Sequence, residues 1–212
     1  MTMTTQPLLF DPGTPAPRQP RGRRALDRYL TPCWATKALI ERAPQVRGGV
    51  VFDPSSGDGR MAAALVEAGR FARALRNDID PAAPAELHED ATRPALWAAA
   101  GTFDYVVTNP PFLHASAIIW LALQHARRGV AMHVRSTWLE PCQDRLWLEH
   151  TPPTRELRLP RISYDGSGGS DSASPCWYLW ERGEDGAWKR GTIEVVTRGS
   201  VGQEPLALGG GR

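Results

Sequence analysis

The chain carries 212 residues, with 25 Lys+Arg against 23 Asp+Glu, a formal net charge of +2 and 42% hydrophobic residues. This length suits one ordinary domain with a three-layer α/β core, and the near balance of charge excludes a globally basic surface, so electropositive character must be local. Three cysteines without a Cys-x-x-Cys pair, and five histidines without ligand spacing, exclude a zinc site and point to a reducing compartment.

In chain order, residues 1–24 lack a usable hydrophobic period and predict a flexible tail. Arg18, Arg21, Arg23, Arg24 and Arg28 form a basic cluster there, either a solvated tail or, beside a nucleic-acid enzyme, a phosphate contact. The sequence Asp27-Arg28-Tyr29-Leu30-Thr31-Pro32-Cys33-Trp34 precedes a helical stretch over Ala35–Arg42, with Thr31 as its cap and Pro32 at its first position. A short apolar strand, Gly49–Asp53, then runs into Pro54-Ser55-Ser56-Gly57-Asp58-Gly59, and a helix follows over Met61–Gly69. Gly57 and Gly59 let the backbone approach a ligand, and the helix start aims free N–H groups at the same place. Asp53 and Asp58 make this loop acidic, which argues against a phosphate and for a ligand bearing positive charge. No Gly-Lys-Ser/Thr follows, so a nucleotide-phosphate loop is excluded.

The second strand, Arg73–Arg76, leads to Asn77-Asp78-Ile79-Asp80. A carboxylate here, about twenty residues after the glycine turn, is where Rossmann-like folds grip two ribose hydroxyls. Asp78 is best placed, with Asp80 the alternative. A third strand is expected over Leu87–Thr92, carrying Asp90. The strand Asp104–Thr108 stops at Asn109-Pro110-Pro111-Phe112, a corner made rigid by two prolines. It can present two acceptors, the Asn109 side-chain oxygen and the Pro110 carbonyl, beside the flat face of Phe112. A helix over Ala115–Leu123 and a strand over Val130–Val134 come next; that apolar run is too short to span a bilayer. Residues 155–164 and 176–182 read as an antiparallel pair around a Gly/Ser loop at 165–175. Trp177 and Trp180 are read as core, Arg161 and Tyr164 as substrate contacts. A hairpin over 188–197 and a tail over 199–212 finish the chain. Alternating strand and helix signals predict a mostly parallel sheet covered on both faces.

These motifs, in this order, resemble the adenine-N6 branch of the S-adenosylmethionine (AdoMet) DNA methyltransferases. Tyr29-Leu30-Thr31-Pro32 looks like motif X, residues 53–59 like motif I, and Asn109-Pro110-Pro111-Phe112 like the catalytic motif. The resemblance covers roughly residues 27–182. It implies a Rossmann-like class I fold, three-layer α/β/α, with a mostly parallel seven-stranded sheet and a terminal antiparallel hairpin, in a methyltransferase domain over 25–198. It further implies AdoMet held by Tyr29, Thr31, Pro32, Asp53, Ser55, Gly57, Gly59, Asp78, Asp90 and Asn109. Asp90 would meet the cofactor's adenine amino group, and Asn109, Pro110, Pro111 and Phe112 would carry catalysis without a metal.

The implied activity is methyl transfer to the N6 amino group of adenine in DNA, in a phage or restriction-modification setting. RNA adenine or a glutamine side chain presents the same two N–H groups and remains an alternative acceptor. A non-catalytic nucleic-acid-binding module of the same fold is a third reading. Glu140-Pro141-Cys142-Gln143 is similar to the Pro-Cys nucleophile of cytosine-C5 enzymes, but it lies one strand too late for that role. The segment before motif X has no apolar secretory core, so a cytoplasmic monomer or homodimer without membrane contact is expected.

Overall fold

A computed structural model describes residues 30–139, 151–161 and 174–195. The expected tails, the basic cluster, Tyr29, Cys142, Tyr164 and most of the Gly/Ser loop lie outside these described residues. Among the described residues, four helices and seven strands follow in the order α1 Cys33–Arg42, β1 Val50–Asp53, α2 Arg60–Glu67, β2 Arg73–Arg76, α3 Pro94–Ala99, β3 Tyr105–Thr108, α4 Ala115–His125, β4 Gly129–Arg135, β5 Arg155–Arg158, β6 Pro175–Glu181 and β7 Thr192–Val195. A 3-10 turn over Ser136–Leu139 follows β4. The strands form one sheet in the order β2-β1-β3-β4-β6-β5-β7. The pairs β1–β2, β1–β3 and β3–β4 are parallel, while β6 runs antiparallel to both β4 and β5.

Successive side chains of the strands point to opposite sides, and helices packed on both faces make two cores. Val51, Tyr105, Val107, Ala131, Trp177 and Leu179 join α1 and α2 in one core through Ala35, Leu39, Met61 and Leu65. Phe52, Val106, Val130, Met132, Tyr178 and Trp180 join α3 and α4 in the other, through Leu96, Trp97, Ile118, Ile119 and Ala122. Trp177 and Trp180 are therefore core residues of opposite faces, as read from the sequence. Both indoles find a partner: Trp177 Nε1 donates to the Ala35 carbonyl at 2.9 Å, and Trp180 Nε1 to the Thr151 carbonyl at 3.0 Å. His133, in register with Trp177, is fully buried, and burial pushes its pKa down to about 3, so it stays neutral.

Arginines close the end of the sheet away from the glycine loop. Arg182 donates to the carbonyls of Leu123 (3.1 Å) and Ala126 (3.3 Å) at the end of α4. Arg70 donates to Ile40 at 2.6 Å, and Arg155 to Arg42, at the end of α1. Cations suit these carbonyl ends, where the helix dipole is negative and the last C=O groups lack intrahelical donors.

Three sequence expectations need correction. The strand expected over Leu87–Thr92 shrinks to a single parallel bridge between Asn77 and Leu87. Pro81 and Pro84 fall in the approach to it, and proline cannot donate to a ladder. Among the described residues of the hairpin expected over 188–197, Trp188 forms an antiparallel bridge to Arg182 and 192–195 do not pair back with it. The chain then passes to the far edge of the sheet, where β7 runs parallel to β5. Thr31 does not cap α1: the N-cap is Pro32, without a side-chain bond, and Thr31 is buried at 5% exposure.

The Trp177–Ala35 bond ties α1 to the sheet and can be tested directly. Trp177→Phe keeps most of the ring but removes the indole donor to the Ala35 carbonyl, an expected loss of about 0.5–1.5 kcal/mol. Urea unfolding followed by circular dichroism should show a lower midpoint; an unchanged midpoint would mean α1 is held by packing alone.

Candidate active site

A cavity of about 270 Å³ opens at the C-terminal ends of β1, β2 and β3. The strand order reverses there, since β1 is flanked by β2 on one side and β3 on the other. Open α/β sheets place their ligand crevice at this kind of switch point.

The loop after β1 forms part of the cavity wall through Pro54, Ser55, Ser56, Gly57 and Asp58. Gly57 and Gly59 hold φ of 58° and 75°, the left-handed region that glycine adopts without strain. A Cβ on Gly57 would lie 3.2 Å from the Leu30 side chain, so a larger residue would crowd the loop against the segment before α1. The loop is stitched to the end of β2. Ser56 N donates to the Asn77 carbonyl (2.9 Å), Asn77 N to the Asp53 carbonyl (2.8 Å), and Gly57 N to Asp78 Oδ2 (2.7 Å).

Asn77 completes this stitching from below. Fully buried, its Nδ2 donates to the carbonyls of Pro54 and Glu89, and its Oδ1 accepts from Glu89 N, all at 2.9 Å. One carboxamide thus replaces the missing third strand and carries Glu89 and Asp90 to the cavity wall. The sequence reading passed over Asn77. The signal was available, since a strand expected over a proline-interrupted segment needs another source of hydrogen bonds.

Asp53 lies beneath the cavity rather than in its wall. It is fully buried, accepts from Ser55 N at 3.3 Å, and burial raises its pKa to about 7 against the lowering influence of the Thr108 hydroxyl and the Ser55 amide. Asp78 and Asp80 both line the wall. Asp78 is already committed to the loop through Gly57 N and to Asp80 N (3.0 Å). Between them Ile79, 54% exposed, gives the wall an apolar ledge that the sequence reading did not single out. Asp90 Oδ1 accepts from the amide (2.9 Å) and hydroxyl (2.7 Å) of Thr92. Its burial favours the neutral acid, but the Thr92 bonds, with Arg93 and His114 nearby, outweigh this and lower its pKa.

The corner after β3 forms the opposite wall. Asn109 and Pro111 line the cavity with Leu113, His114 and Ile118, while Pro110 is buried behind them. His114 N donates to the Pro111 carbonyl at 2.9 Å, closing the turn into α4. Phe112 is outside the wall, with the Arg135 guanidinium 4.9 Å over its ring centroid. Of the sequence-selected residues, Thr31, Ser55, Gly57, Asp78, Asp90, Asn109 and Pro111 therefore share one cavity. Pro32, Asp53, Gly59, Pro110 and Phe112 stand behind or beside it. No cluster of side chains able to hold a metal ion occurs among the described residues.

No protein-family model and no curated protein matches this sequence. Solved structures do match in fold. A type I restriction-modification methyltransferase subunit from Streptococcus thermophilus superposes with a TM-score of 0.55 at 13% identity, over 80% of this chain and 47% of that one. The type I restriction enzyme EcoKI M protein gives 0.56 at 14% identity, over 81% and 48%. A candidate RNA methyltransferase from Pyrococcus horikoshii gives 0.56 at 15% identity, over 79% and 89%. The chain spans about half the length of the type I subunits it matches. Its α/β fold is similar to that of these methyltransferase structures.

The buried Asp53 predicts a pH signature. Its folded pKa lies above the ordinary carboxylate value, so its contribution to stability is present below about pH 4 and lost as pH rises to about 7. The unfolding free energy of wild type relative to Asp53→Asn should therefore fall across that window. A difference that stays flat from pH 4 to 8 would mean Asp53 ionises alike in both states.

Proposed function

We propose that this chain transfers the methyl group of AdoMet to the N6 amino group of adenine in DNA. The observation that carries the reading is the placement of Asn109. It stands on a Pro-Pro corner at the end of β3, in the wall of the same cavity as the acidic glycine loop. Five carboxylates, Asp58, Asp78, Asp80, Glu89 and Asp90, also line that cavity. Such a wall suits a ligand carrying an ammonium and a sulfonium and disfavours a polyphosphate.

The residues fit AdoMet part by part. The backbone at Gly57 is bare where a Cβ would press on Leu30. Asp78 or Asp80 would accept from the ribose hydroxyls, Ile79 would lie against the adenine ring, and Asp90 would take its amino group. Thr31 and Ser55 belong to the methionine side, beside Leu30. When bound, AdoMet supplies a sulfonium methyl group open to in-line attack.

The chain's own task is to prepare and aim the acceptor nitrogen. An adenine amino group is a poor nucleophile because its lone pair is delocalised into the ring. Asn109 Oδ1 and the Pro110 carbonyl would each accept one of its N–H bonds, favouring tetrahedral geometry and returning the lone pair to the nitrogen. No strong base is required, since the methylated nitrogen sheds its proton readily. Orientation of two bound partners supplies most of the rate. A base in duplex DNA must leave the stack to reach the notch, and Phe112 offers a ring face that a planar guanidinium already covers. Structures of similar fold that are named for type I restriction-modification and for RNA methyl transfer support a nucleic-acid acceptor.

Incubation with labelled AdoMet and separate DNA, RNA and protein acceptors should label DNA, with N6-methyladenine in the digest. Label confined to RNA or to glutamine would move the acceptor. Asn109→Ala should lower transfer about 100-fold or more, the scale of losing one preorganised partner in a transition state, while AdoMet still binds. Asp78→Ala should weaken AdoMet binding by about 1–3 kcal/mol in calorimetry, through the lost hydrogen bonds and the loosened loop. Unchanged affinity would place the ribose elsewhere.

A further inference from the structure

Arg60 is the one lysine or arginine among the described residues that line the cavity. It opens α2, where the helix dipole is positive and an acidic residue would be favoured, so helix stability gives no reason for a cation here. Its Nε and Nη2 both donate to Asp58 Oδ2, at 2.7 and 2.5 Å. The two side chains are 45% and 33% exposed, and an ion pair of that exposure adds little to folding. Leu30 and Thr31, just before α1, line the same cavity as Asp58 and Arg60.

We infer that Asp58 and Arg60 form a paired receptor for the amino-acid end of the cofactor, Arg60 taking the α-carboxylate and Asp58 the α-ammonium. This rests on the AdoMet reading above. An α-amino acid group is a zwitterion whose two charges are separated by a single carbon. An adjacent carboxylate and guanidinium present the opposite signs at a matching scale. A guanidinium also offers a planar fork that suits a carboxylate. Without ligand the two side chains satisfy each other, so neither stands as an uncompensated charge in the wall. With ligand, each exchanges its neighbour for a group of the same sign on the bound molecule, and net charge in the wall is conserved.

Calorimetry with AdoMet and with its decarboxylated analogue, which keeps the sulfonium and the ammonium, tests the assignment. The intact chain should bind AdoMet about tenfold or more tightly than the analogue. Arg60→Gln should bring the two affinities together by weakening AdoMet alone, and Arg60→Lys should restore part of the difference. Unchanged affinity of Arg60→Gln for the analogue also reports that the variant is folded. An affinity ratio that survives in Arg60→Gln would overturn the role of Arg60 while leaving the cofactor reading in place. Failure of the intact chain to bind either sulfonium compound would overturn both.

Discussion

The carboxamide of Asn77 joins the two segments that build the acidic side of the site. Its Nδ2 bridges Pro54, in the glycine loop, and Glu89, in the segment that delivers Asp90, and its Oδ1 closes the triangle on Glu89 N. In a sheet with a third strand on this side, a ladder would do that work. Here one buried side chain does it with three bonds to backbone groups. Removing such a side chain would leave those buried groups without partners, which costs more than the bonds themselves contribute. The positions of Ser55, Gly57, Asp78 and Asp90 all depend on this arrangement, and so does the shape of the cavity between them.

Charge is distributed along the sheet's working edge with a sense that follows from this scaffold. The ends of β1 and β2 gather carboxylates, whereas β4 ends at Arg135 and β5 at Arg158, with Arg161 exposed just beyond. Asn109 stands between these regions, at the end of β3. A stretch rich in carboxylates thus adjoins one that carries arginines, of which Arg158 pairs with Glu156 and Arg135 lies over Phe112. At the opposite end of the sheet, Arg70, Arg155 and Arg182 spend their donors on helix carbonyls. The arginine content therefore has two separate uses: it finishes helices at one end of the sheet and shapes the surface at the other.

How much of this was legible in the sequence depends on the range of the interactions involved. The glycine turn and the Pro-Pro corner are local: a strand, a few residues of fixed backbone preference, and a helix. Their chemistry can be read within a dozen positions, and Gly57, Asp78, Asp90, Asn109 and Pro111 do meet in one cavity. Residues 87–92 failed as a strand because apolar pattern alone cannot show whether a neighbour offers a free edge or a side chain. Residues 192–195 were misplaced for the same reason, since their partner β5 lies beyond β6 in space but before it in sequence.

The alternating α/β order, the acid loop, the rigid amide corner and the burial of Trp177 and Trp180 can be read from the residues alone, because each follows from short-range sterics or from strand periodicity. Packing in three dimensions puts Asp53 beneath the cavity instead of in it, sets Asn77 in place of a strand, lays Phe112 under Arg135, and turns Arg60 back toward Asp58 within the cavity wall. Those outcomes are set by contacts between segments far apart in the chain, whose geometry exists only once the sheet has brought the ends of β1, β2 and β3 side by side.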